Sequence, residues 1–148
     1  MNNDVVLNVP LVDQQRDTKN SAWKENACGV CAVKMLMVFE KPELMGLPVM
    51  KLIDEAVADN GYIPNVGWKH QALVDLAASH GVGLTFQKHF FYTPTEKKKG
   101  LRIIHAQIRR GKPVIVSVHY EFNPERGGHL VVIHGLQMQG RAVVGYYV

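Results

Sequence analysis

The sequence predicts an α+β fold, because its apolar pattern changes period partway along the chain. Through residue 80 the apolar residues fall mainly at helical spacing. From residue 113 onward they form short runs rich in Val, bounded by Gly, Pro and Asn, which read as strands. Helices first and antiparallel strands second is the order of an α+β protein, not of an alternating parallel one. At 148 residues, with 47% hydrophobic and 20% charged residues, the chain can bury one sizeable core, so 1–148 reads as a single domain.

Each element follows from its residues. VVLNVPLV (5–12) is apolar but interrupted by Pro10, which suits an edge strand or a lead-in. Residues 13–27 are polar and loop-like. From Cys28 to Phe39 the only charge is Lys34, so this segment predicts a helix buried nearly all round at the centre of the domain. PVMKLIDEAVAD (48–59) predicts an amphipathic helix begun by Pro48 and stopped by Asn60-Gly61. WKHQALVDLAASH (68–80) predicts another, ended by Gly81. Residues 82–91 and 113–120 read as strands with a short helix at 101–110 between them. HLVVIHGL (129–136) and RAVVGYYV (141–148) predict a closing antiparallel pair joined at Gln139-Gly140.

Composition excludes several classes of function. The net charge of +4 is mildly basic, and much of it sits in Lys97-Lys98-Lys99, between Pro94 and Gly100. This run reads as a solvated loop. Nucleic-acid binding needs a basic face interleaved with aromatics, which the sequence does not supply, so no nucleic-acid partner is expected. No stretch approaches the roughly 20 apolar residues of a membrane span. Met1-Asn2-Asn3-Asp4 lacks the cationic and apolar parts of a signal peptide. Two cysteines cannot make a disulfide scaffold, so a reducing, cytoplasmic setting is expected, either free-standing or as a domain of a longer protein. No cofactor or metal is expected, and the oligomeric state is left open.

Cys28 stands where a polar loop meets a buried helix. The unpaired N–H groups and partial positive charge of a first helical turn favour a thiolate over a thiol. Gly29 would keep the approach to the sulfur open. A thiolate nucleophile is served by a histidine base, and the chain has seven. His129 has the best context, following the loop 123–128 and opening an apolar strand; His119 and His134 are its rivals. Cys28 and Cys31 also form a Cys-x-x-Cys, but a thioredoxin-like redox site needs a buried strand leading into it, and RDTKNSAWKENA is too polar. Zinc held by both cysteines with His129 and His134 is opposed by the wide separation and by a spacing of five, which sends the two rings to opposite strand faces. Cys31, Trp23 and Trp68 read as packing residues.

VPLVDQ (9–14), ENACGVCAVKMLM (25–37), GKPVIVSV (111–118) and GGHLVVIHG (127–135) together resemble the bacteriocin-processing, double-glycine leader peptidases and their stand-alone relatives, a branch of the papain-like cysteine peptidases. The resemblance implies a papain-like fold, with N-terminal helices and a central Cys-bearing helix packed on a C-terminal antiparallel sheet. It makes Cys28 the nucleophile, His129 the base and Gln14 the oxyanion-hole glutamine, with Gln15 not separated from Gln14. The implied reaction is hydrolysis of a peptide or protein substrate. The family's Asn or Asp that orients the imidazole has no counterpart, since no Asp, Asn or Glu lies between His129 and Val148. The resemblance places that residue just beyond Val148, with residues 141–148 alongside 129–136 and their end arriving near His129. A catalytically silent papain-like binding module is the competing reading.

Overall fold

A computed structural model of the chain describes residues 3–19, 22–89 and 91–148. It is α+β, with helices and antiparallel sheet in two compact units. One unit takes the described residues of 9–86 and 117–131, and the other those of 1–8, 87–116 and 132–148.

The first unit is built on helices. The predicted loop at 13–27 instead forms α1 (Gln14–Asp17) and a 3-10 turn at Ala22–Glu25. Asp13 caps α1, accepting from the backbone N–H groups of Gln15 and Arg16, a local device that polar composition disguises as loop. α2 (Cys28–Glu40) buries nine of its 13 residues, as an almost wholly apolar segment requires. It packs against α3 (Val49–Ala58) and α4 (His70–Ser79), which also pack on each other. Met37, Leu52, Ile53 and Ala77 are wholly buried there. Asn60, with φ 56°, ends α3 in the left-handed region that Asn tolerates. A 2.6 Å bond from the His80 ring to the Glu55 carboxylate ties the end of α4 to α3.

Between residues 68 and 89 the structure departs from the sequence reading twice. Trp68 is not helical: it lies in β3 (Gly67–Trp68), paired antiparallel with β2 (Tyr62–Ile63), so α4 starts two residues later. No strand forms over 82–89; Phe90 lies outside the described residues. The apolar alternation is present in that segment but no partner strand is, and an unpaired strand is not stable.

In the second unit β1 (Val5–Val6) is an edge strand, as Pro10 nearby implied. It pairs antiparallel with β6 (Gly135–Gln139), which pairs antiparallel with β7 (Ala142–Tyr147). Gly140, with φ 60°, makes the β6–β7 turn. α5 (Pro94–Arg109) covers this sheet: Ile108 is buried with Ile133 and Leu136, and Ile104, Val143 and Tyr146 pack around them. α5 begins seven residues before its predicted start and contains the whole lysine run. Thr93 and Glu96 close a capping box with Pro94 in the first turn, a signature of helix initiation that the charge run hid.

β4 (Val114–His119) pairs with β5 (Gly128–Ile133). The run 129–136 is therefore not one strand beside 141–148. It breaks at His134, whose Nδ1–H donates to the Leu7 carbonyl at 3.0 Å, and β7 pairs with β6 instead. The end of β7 meets Gly135, with Tyr147 accepting from the His134 N–H at 2.9 Å. The strand order expected around His129 is thereby corrected. No helix of the described residues is long and apolar enough to cross a membrane.

Candidate active site

Cys28, Gln14 and His129 all fall in the helical unit. Cys28 is the first residue of α2, half-buried, with a free thiol. Ala27, at the N-cap position, supplies no side-chain acceptor, so the first-turn N–H groups of α2 are not capped by a side chain. Cys31, one turn on, is buried, and its thiol is pushed up to about 12, chiefly by burial and then by the nearby Asp17 charge. Lys34, also buried, has its pKa lowered by burial, with Asp17 pulling the other way. Of the two cysteines, only Cys28 combines partial exposure with a helix start.

Gly29 serves packing rather than access. A Cβ there would lie 2.8 Å from Cδ1 of Trp68 and 3.0 Å from Leu73. The Trp68 indole N–H in turn donates to the Asn26 carbonyl at 2.6 Å, fixing the chain two residues before Cys28. Trp68 also closes a ring cluster with Trp23 and Tyr62, centroids 4.9 to 5.5 Å apart. Trp68 therefore braces the approach to Cys28, a role beyond the general packing its sequence context implied. The signal was present: the turn residues Pro64-Asn65-Val66-Gly67 flanked by aromatics mark a hairpin.

Gln14 opens α1 and its side-chain N–H donates to the Lys24 carbonyl at 2.7 Å. The Gln15 amide reaches the same oxygen at 3.3 Å. Both are thus tied to the segment that leads into Cys28. A side-chain amide has two N–H donors, so one remains for another acceptor.

His129 is half-buried in β5, and burial lowers its pKa below the usual histidine value, leaving the ring neutral around pH 7. Its ring meets Tyr120 edge-to-face at 5.3 Å, and the Arg126 guanidinium lies over the same Tyr120 ring at 5.5 Å. Arg126 also pairs with Glu121. Glu121 and Phe122, φ 53° and 56°, are consecutive non-glycine residues in the left-handed region, a strained stretch just before the histidine. Among the described residues, neither the Cys28 thiol nor the His129 ring makes a hydrogen bond. The rival His134 belongs to the other unit and is engaged with Leu7. His119 is exposed and lines a shallow depression with Ser117, Pro124, Gly127 and Gly128.

Among the described residues no strand delivers the chain into Cys28-Gly29-Val30-Cys31; a 3-10 turn does, which is not the thioredoxin-like arrangement. The Peptidase_C39 like family model matches residues 6–146. No curated protein and no solved structure matches the chain.

Proposed function

Because the chain belongs to the Peptidase_C39 like family, we propose that it hydrolyses peptide bonds through Cys28 and His129, with Gln14 completing the oxyanion hole. The observation that carries this reading is Cys28 at the uncapped start of a buried helix, while the other cysteine is buried and hard to ionise. The Cys28 thiol gives its proton to His129, and the thiolate attacks the scissile carbonyl. The Cys28 N–H and the second Gln14 amide N–H then hold the oxyanion. His129, now imidazolium, gives its proton to the departing amine. It next takes a proton from water, whose oxygen attacks the thioester and frees Cys28. Tyr120, edge-on to the His129 ring, is a group against which the imidazole rests.

The test is hydrolysis of a peptide library by the wild-type chain and by Cys28→Ala, together with the rate of iodoacetamide labelling at each cysteine. The proposal expects turnover that disappears with Cys28, and labelling of Cys28 much faster than Cys31. A silent binding module is supported by the same family match. It expects peptide binding with no Cys28-dependent turnover, and that outcome would sink the peptidase reading.

A further inference from the structure

The charge of this chain is strongly segregated. Between residues 87 and 116 stand eight Lys and Arg residues against one acid, Glu96, a balance of +7. The remainder has nine bases and twelve acids, a balance of −3, so the whole chain's +4 conceals two opposite regions. A charge run in a loop would be diffuse, but here it is wound into α5, whose one face is held on the sheet by Ile104 and Ile108. Lys98, Arg102 and Arg109, at spacings of four and seven, share the outward face, flanked by Lys99 and Arg110. All five are exposed, and among the described residues none of them pairs with a carboxylate.

Beside these cations the start of α5 presents hydrocarbon. Phe91 lies against Gly100, and with Leu101, Ile104 and the stem of Lys97 it lines an open apolar trough. Leu101 is 41% exposed and Tyr92 78%. Isolated exposed apolar residues need no explanation, but an apolar trough next to a polybasic face combines the two attractions of a lipid surface. Lys97 lines the trough and is itself exposed, a placing from which a lysine can snorkel to an interface. A nucleic acid would use the cations but not an aliphatic trough.

We infer that the outer face of α5 docks this protein on anionic lipid bilayers. The cations attract the headgroups, and Phe91, Tyr92 and Leu101 enter the headgroup boundary. This inference is independent of the peptidase reading, because it rests on no residue proposed for catalysis.

The test is co-sedimentation of the full chain with phosphatidylcholine vesicles, with and without phosphatidylglycerol, at low and raised salt. Binding is expected only to the anionic vesicles and is weakened by salt. The triple variant Lys98→Glu, Arg102→Glu, Arg109→Glu should lower the partition coefficient by at least ~100-fold, each cation lost being worth roughly fivefold and each glutamate adding repulsion. These side chains are exposed, and an unchanged melting temperature establishes that the variant folds. Leu101→Asn should reduce the part of binding that survives raised salt. Equal binding to neutral vesicles, no binding to either kind, or full binding by the triple variant overturns the inference. So does tighter binding to a duplex DNA oligonucleotide that the same variant loses, which would give the face to nucleic acid.

Discussion

α2 and α5 are the two longest helices among the described residues, and they put the same backbone geometry to opposite use. α2 buries nine of 13 residues and leads with a cysteine; α5 buries two of 16 and carries a row of cations. In α2 nearly every side chain has neighbours to lose, so substitution is costly and the helix start is held rigidly. In α5 the buried stripe of Ile104 and Ile108 suffices to seat the helix, and the remaining faces are available for outside contacts. Rigidity at a reacting atom and freedom at a docking face are thus served by how much of each helix is enclosed.

The contrast can be broken by measurement. The largest expected effect is Cys28→Ala, which should reduce turnover by roughly 10⁶-fold, the scale seen when an acyl-transfer nucleophile is removed. The triple α5 reversal should leave turnover on a soluble peptide within experimental error. Comparable losses in both would show that the two helices are not functionally separate. Next comes Gln14→Ala, expected to reduce kcat by at least ~100-fold through loss of an oxyanion donor, while Gln15→Ala does little. The reverse order would move the role by one residue.

Stability should separate the helices as well. Met37→Ala, at a wholly buried site on α2, should cost 2 to 5 kcal/mol by the ordinary range of about that size for core truncations, read from denaturant unfolding. Gly29→Ala should cost about 1–3 kcal/mol, because its Cβ meets Trp68 and Leu73. On α5, Thr93→Ala removes the capping box and should cost ~1 kcal/mol. Arg102→Gln should fall within about 0.5 kcal/mol of wild type.

The smallest effect is in pH. Burial lowers the pKa of both His129 and His105, so the unfolded chain binds protons more readily than the folded one. Stability should therefore be unaffected above the ordinary histidine value and fall as pH drops through it toward the lowered folded values. A His105→Gln, His129→Gln variant should show a flatter dependence over that range in thermal melts.

What was legible in the sequence was whatever a single segment decides alone. α2 could be read because twelve consecutive residues carry only Lys34, and α3 because Pro48 and Asn60 punctuate it. The lysine run at 97–99 was misread because charge masks periodicity, although Thr93 and Glu96 were there to announce the helix. HLVVIHGL looked like one strand because apolar character continues through His134, whereas the break depends on the Leu7 carbonyl, 127 residues away. The candidate site divided likewise. Cys28 was visible from the loop-to-helix change, but Trp68 bracing it through Asn26, and Tyr120 against His129, depend on which segments meet.

The segment from Tyr120 to Gly127 closes on itself. The Tyr120 N–H donates to the carbonyls of Arg126 and Gly127, Asn123 caps Glu125, and Arg126 returns to Glu121 and Tyr120. Its two ends are thus clasped by its own backbone. Loop closure grows more costly only slowly with length, so a clasped segment can be exchanged or extended while β4 and β5 keep their pairing. In evolutionary terms such a segment is open to rewriting: exchanging residues 121–126 should leave the strand that carries His129 untouched.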